Sequence, residues 1–448
     1  MPSCIIHSFL FKKQEKQPYF QERGSSMKIK TWENGLRVFY DCRPDSRSAT
    51  VGIWVASGSE NENDSNNGIS HFIEHILFKG SKSRTGLEIA EGMDEIGASY
   101  NAYTTKEYTY FYVKALDYQL IKATDLLFDL FKNPRLDEND IETEKGVILE
   151  EIAMCEDDPS EKCFDVSEKG IYEGSGLAYE ILGTRETVSA MKKEDFLEYM
   201  NTYYVPERTV IGVSGNFTEE EIEEKINEYF GGNKNTGNPI KTVKAPFSPD
   251  VRTLHKDVEQ THILMTFKGI PIEHRDLYPL QICSFILGIG PSSMLGRRIR
   301  EELGLVYGIE SFLVRFAGGG TVEISMSLAP ASEEKAIREA LKIVSALEET
   351  VTERQVTIAK EKLASGFIMS REQPQSRFSA TGYNILLLGK EITDDEIIES
   401  VRSVTLDDVK RVAREYFDIS EMSFTAVGKV SEKEKYQKII SEFKKEGE

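Results

Sequence analysis

Residues 188–217, VSAMKKEDFLEYMNTYYVPERTVIGVSGNF, lie without a gap over residues 401–430, VRSVTLDDVKRVAREYFDISEMSFTAVGKV. At this offset of 213 positions Tyr203 meets Tyr416, Tyr204 meets Phe417 and Gly215 meets Gly428. Any helix followed by a strand looks partly like another, but the ungapped length favours an internal duplication, and with it two domains of one architecture. Between the repeats, residues 231–250 (GGNKNTGNPIKTVKAPFSPD) replace periodic structure with Gly, Asn, Pro and Lys and read as a linker. The expected organisation is a domain over 27–230, the linker 231–250 and a homologous domain over 251–448.

Inside the first repeat, KIKTW and LRVFY alternate around Glu33-Asn34-Gly35, and Asn-Gly between alternating runs signals a hairpin. SATVGIWVASGS reads as another strand, and YNAYTTKEYTYFYVKAL, rich in aromatic and β-branched residues, as one more. Helices are predicted at 70–80, 86–96, 117–132 and 138–155. Strands and helices alternate without a regular βαβ beat, which points to the α+β class. The glycine run of FAGGGTVE (316–323) lacks the following Lys-Ser or Lys-Thr of a phosphate loop and reads as a connection between strands.

A formal charge of −20 argues against a nucleic-acid binder, because phosphate affinity needs clustered Lys and Arg. Five cysteines, widely spaced and without a CxxC pair, do not make a disulfide framework and fit a reducing, cytoplasmic compartment. No run of about 18 apolar residues suggests a membrane span. Near the start, CIIHSFLF lacks a positive region before it and a small-residue cleavage site after it, so it does not read as a signal peptide. Residues 1–26 read as an extension, disordered or not native, since codons for Glu22-Arg23-Gly24 can spell a purine-rich ribosome-binding site ahead of Met27.

Against only six histidines in the chain, HFIEHILFKG (71–80) places two of them four apart. On a helix His71 and His75 share a face and Glu74 sits beside them. Two imidazoles can hold one catalytic zinc, which takes three protein ligands and leaves a position for water; a neighbouring carboxylate can then take that water's proton. The pattern is the metalloprotease HExxH written backwards. The first domain alone carries these groups, because at the duplication offset His71 falls on Ser284, Glu74 on Leu287 and His75 on Gly288. IETEKGVILEEIAM offers Glu142, Glu144, Glu150 and Glu151 as the third ligand, and spacing does not choose among them.

HFIEHILFKG, NAYTTKEYTYFYVKAL and EKGVILEEI together resemble the pitrilysin and mitochondrial processing peptidase family of zinc peptidases, and the resemblance covers essentially all of 27–448. It implies a mainly antiparallel sheet packed with helices in each domain, and one zinc ion (Zn2+) per chain. Its ligands would be His71, His75 and Glu151, the last 76 residues beyond His75, with Glu74 as the catalytic base. Seven residues before Glu151, Glu144 would support a ligand or the chemistry. In SSMLGRRIREELGLVYGIESF the spacing of Arg300 and Tyr307 matches the family's Arg/Tyr pair, which implies contacts to substrate backbone and oxyanion. Taken alone, Arg300 reads as a surface residue and Tyr307 as a half-buried strand aromatic. Ser99, Asn101, Ala102 and Tyr103 map to an edge strand to which an extended peptide would add, whereas Tyr108, Tyr110 and Tyr112 read as core or sheet-face residues.

The expected activity is zinc-dependent endopeptidase cleavage of unfolded peptides or presequence-like segments. The competing reading is a catalytically silent binding or scaffold subunit, and a closed structural zinc site is disfavoured because no fourth ligand is evident. The two-domain length implies a homodimer in which the Arg/Tyr pair of one subunit completes the zinc site of the other, or a heterodimer with a related chain. No nucleic-acid or membrane partner is expected.

Overall fold

The computed structural model describes residues 26–444, so the expectation for the leading segment lies outside the described residues. A six-stranded sheet is built from β1 (Ser26–Thr31), β2 (Arg37–Cys42), β3 (Ser48–Val55), β4 (Ser99–Thr104), β5 (Thr109–Leu116) and β6 (Thr209–Gly215), in the order β1-β2-β6-β3-β5-β4. A five-stranded sheet holds β7 (Val251–His255), β8 (Thr261–Lys268), β9 (Gly308–Phe316), β10 (Gly319–Leu328) and β11 (Ser423–Gly428), in the order β7-β11-β8-β10-β9. Apart from β1 the orders coincide, and each sheet has one parallel pair, β2 with β6 and β7 with β11, among antiparallel ones. The mainly antiparallel sheets, each packed with helices, have the expected architecture.

The duplication is visible residue by residue. Helix Lys193–Tyr203 and helix Leu406–Tyr416 stand 213 positions apart at both ends. The strands after them end at Gly215 and Gly428, with φ of 136° and 133°, values that exclude most side chains and explain why glycine recurs there.

One sequence expectation changes. The stretch read as a single strand is the hairpin β4–β5, closed where Thr105 N–H donates to the Tyr108 carbonyl at 2.8 Å. Thr105 Oγ1 also accepts from the amides of Glu107 and Tyr108, a side-chain-built turn that strand propensity on either side hides. The glycine run at 316–323 likewise makes a tight turn, with Gly319 and Gly320 already paired in β10.

Each sheet is covered on both faces, which is why β6 and β11 are buried along their whole length and do not alternate. One face of the first sheet carries Val38, Val51, Ile53 and Phe111 into a core shared with the helices of its own half. Its other face, with Phe39, Trp54, Tyr110 and Val210, is closed by Phe378, Ile385 and Leu386 from helix Pro374–Leu388, which comes from the second half of the chain. The exchange is reciprocal: helix Pro159–Ile171 of the first half lies on the second sheet, with Cys163 against Leu264 and Val427. At Gly382 a Cβ would stand 2.3 Å from the Trp54 ring, so glycine sets how closely the helix approaches.

Candidate active site

The helix ISHFIEHIL (Ile69–Leu77) buries Ile69, Phe72, Ile73, Ile76 and Leu77 in the first core. That apolar stripe turns Glu74, His75 and the edge of His71 towards the helix Glu138–Asp157, against which it packs. Its amino end is capped by buried Glu62, which accepts from Gly68 N–H at 2.7 Å, Ser70 N–H at 2.8 Å and Asn67 Nδ2 at 2.8 Å. The helix that carries the histidines is thus held at its start by a carboxylate.

His71, His75 and Glu151 come together: one donor atom from each lies within 4.8 Å of the others. Glu151 Oε2 is 3.8 Å from His71 Nε2 and 3.6 Å from His75 Nε2, and the two rings sit 4.6 Å apart at 60°. Among the described residues this is the sole such group of three or more donors. Of the four glutamates that spacing left open, Glu151 faces the histidines and Glu144 lies behind His75, its Oε1 2.9 Å from Nδ1. With Nδ1–H donating to Glu144, the His75 Nε2 lone pair is left for the cluster. Lys79 Nζ stands 2.5 Å from the other Glu144 oxygen.

The electrostatics suit a cation. Burial, helped by His75, lowers the His71 pKa to about 3, so the ring is neutral and can act as a donor. Burial alone would lower the His75 pKa, but the Glu144, Glu151 and Glu74 carboxylates outweigh it and raise it. Burial works against an ionised Glu144, yet His75 and Lys79 hold its pKa below the ordinary value. A site that pulls positive charge onto an imidazole through surrounding carboxylates, with two nitrogens and one oxygen converging, has the donor set of an open zinc site.

Glu74 lies on the same helix with Thr104 Oγ1 donating to its Oε2 at 2.7 Å. Burial raises its pKa, and the Thr104 hydroxyl partly opposes that. Glu74, His75, Phe78, Asn101, Ala102 and Glu144 line one small cavity, so the histidine helix and β4 share a wall. β4 is an edge strand with Ser99 and Asn101 exposed, Tyr103 36% exposed and Ala102 turned inward. Tyr110 is fully buried, and Tyr108 and Tyr112 pack beside it on the sheet face.

Arg300 lies in a π-helical turn, Gly296–Glu302, and lines a different cavity, with His262, Glu310 and Ser327, that shares no residue with the one around Glu74. Tyr307 just before β9 is 79% exposed, far from the half-buried strand aromatic its surroundings in sequence suggest. Neither Arg300 nor Tyr307 lines the cavity around Glu74. Sequence reasoning missed Thr104, Lys79 and Glu62. Lys79 carried a faint signal, one helical turn beyond His75; the other two had none, because their partners are set by the fold.

Two homologous sheet-and-helix domains with a His/His/Glu cluster in the first define a class of metallopeptidase-like proteins. The family description "Insulinase (Peptidase family M16)" matches residues 37–185, and "Peptidase M16 inactive domain" matches 190–363. The chain belongs to peptidase family M16. It is 36% identical over 389 residues to the Bacillus subtilis protein named "Uncharacterized zinc protease YmxG", covering 86% of this chain and 95% of the relative. A Mycobacterium leprae protein named "Uncharacterized zinc protease ML0855" is 35% identical, covering 86% and 88%. The fold is shared with a protease from Helicobacter pylori at a TM-score of 0.79 and 20% identity, covering 90% of this chain and 99% of that one. A peptidase M16 inactive domain from Pseudomonas fluorescens shares it at 0.84 and 16%, covering 90% and 98%.

Proposed function

We propose that this protein is a zinc-dependent endopeptidase acting on unfolded or presequence-like peptides. The convergence of His71, His75 and Glu151, with Glu74 on the same helix, carries the reading. Family membership and relatives named zinc proteases support it. One zinc ion per chain, held by His71, His75 and Glu151, would supply a Lewis acid for the scissile carbonyl and an acidified water.

The chain's own residues do the rest. Glu74 takes a proton from the attacking water and delivers one to the leaving amide nitrogen. Glu144 holds the His75 ring in the tautomer that offers Nε2 inward, and Lys79 keeps Glu144 ionised. The exposed edge of β4, with Ser99, Asn101, Ala102 and Tyr103, pairs with an extended peptide through backbone hydrogen bonds, which favours unfolded substrates. Arg300 and Tyr307 donate to the substrate backbone and oxyanion. Because Tyr307 is exposed and Arg300 lines a cavity that shares no residue with the one around Glu74, we assign that contact to the pair of a second subunit in a homodimer, with a related chain as the alternative partner. Among the described residues no helix is long and apolar enough to cross a membrane.

Cleavage of a quenched-fluorescence unfolded peptide tests the core of the reading. Wild type should turn over in a chelator-sensitive way, and Glu74→Gln, still zinc-loaded, should lose about 10²–10⁴-fold in kcat. Equal rates in the two proteins would refute the role of Glu74; a folded dimer that cuts nothing would leave a silent subunit.

A further inference from the structure

Thr104 is the last residue of β4, paired in register with Thr109 of β5. Along the strand, Ala102 is buried and Thr104 reaches Glu74 on the histidine helix, while the alternating Ser99, Asn101 and Tyr103 are exposed. The backbone after Thr104 is clamped from outside the hairpin as well. Lys106 Nζ reaches Glu168 at 2.8 Å and the Tyr179 carbonyl at 2.9 Å, and Glu107 Oε1 accepts from Ala317 N–H at 2.6 Å. The turn is therefore tied to helix Pro159–Ile171 and to the β9–β10 turn of the second half, and the Thr104 hydroxyl is held by the sheet on one side and the clamped turn on the other.

That hydroxyl donates to Glu74 Oε2 at 2.7 Å, and no described residue donates a hydrogen bond to Oε1. A glutamate side chain has three rotatable bonds, and a base that must meet one water and then one leaving nitrogen gains from having them fixed. We infer that Thr104 is a positioning residue for the Glu74 carboxylate: it occupies one oxygen and leaves the other for proton transfer. The inference rests on the peptidase reading. It also places the positioning group on the strand assigned to substrate, so that peptide pairing and base orientation are fixed by one piece of backbone.

Two substitution pairs isolate the hydroxyl, Thr104→Val against wild type and Thr104→Ala against Thr104→Ser, each purified as the full zinc-loaded protein. The Val and Ala variants should lose about 10–100-fold in kcat with KM within about twofold, while Ser should restore kcat to within about threefold of wild type. Zinc content and melting temperature should match wild type in all of them. Should Val fail to fold, the Ala/Ser pair decides alone. Unchanged kcat in the Val or Ala variant, loss confined to KM, or equal loss in Ser and Ala would overturn the inference. Turnover absent from wild type itself would instead sink the peptidase reading, and this inference with it.

Discussion

Glu144 takes the Nδ1–H of His75 and Lys79 sits on its second oxygen, whereas His71 Nδ1, buried, has no hydrogen-bond partner among the described residues. One imidazole thus reaches the cluster with its orientation fixed by a carboxylate, and the other is fixed by packing alone. Glu144→Gln should weaken zinc retention by about 10–100-fold in competition with a chelator, with Lys79→Met having a smaller effect. Retention identical to wild type would show that the His75 ring is oriented by its burial alone. At this scale the sequence was informative in proportion to how local the geometry is. His71, Glu74 and His75 were legible because four residues make one helical turn. Glu144 and Glu151 needed the family's spacing, since Glu142 and Glu150 on the same helix offer the same chemistry. Thr104 was not legible at all: 30 residues separate it from Glu74, and a threonine at a strand end is unremarkable.

Turns were legible where the sequence itself spells them and hidden where strand propensity runs straight across them. The β1–β2 hairpin announced itself through Asn34-Gly35, while the β4–β5 turn is built by the side chain of Thr105 inside a run with high strand propensity. Beneath helix Pro159–Ile171, the sealed face of the second sheet hides Glu323 of β10, to which, among the described residues, only Thr321 Oγ1 donates, at 2.7 Å. Burial raises its pKa from 4.5 to about 8. Below about pH 4.5 the group is protonated in both folded and unfolded chains and contributes nothing to the pH dependence. As pH rises towards 8 the unfolded chain gives up that proton while the folded one keeps it, so stability falls across this window and levels off above it. Glu323→Gln keeps the acceptor for Thr321 and removes the titration. Its melting temperature should decline less than that of wild type between pH 5 and 8, and parallel curves would place the proton elsewhere.

Across the whole molecule, the offset of 213 residues foretold two sheets of matching strand order, because a duplicated sequence repeats its local preferences. It could not foretell that a helix from each half lies on the other's sheet, since an amphipathic helix does not state which apolar face it will cover. The proposed sharing of Arg300 and Tyr307 between subunits also belongs to this scale. Mixing Glu74→Gln protein with Arg300→Ala/Tyr307→Phe protein should recover activity that neither has alone, because one of the mixed pair's two sites would combine an intact Glu74 with an intact Arg/Tyr pair. No recovery despite demonstrated subunit exchange would place the pair's action within its own chain. The crossed helices bear on how the chain holds together when cut. A protease that nicks the extended segment 231–250 severs the backbone between the two sheets, yet Phe378, Ile385 and Leu386 still grip Trp54 from one side and Cys163 still rests on Leu264 from the other. The fragments would run as two bands under denaturing conditions and as one particle without them, mutual hostages whose release requires unfolding rather than mere scission.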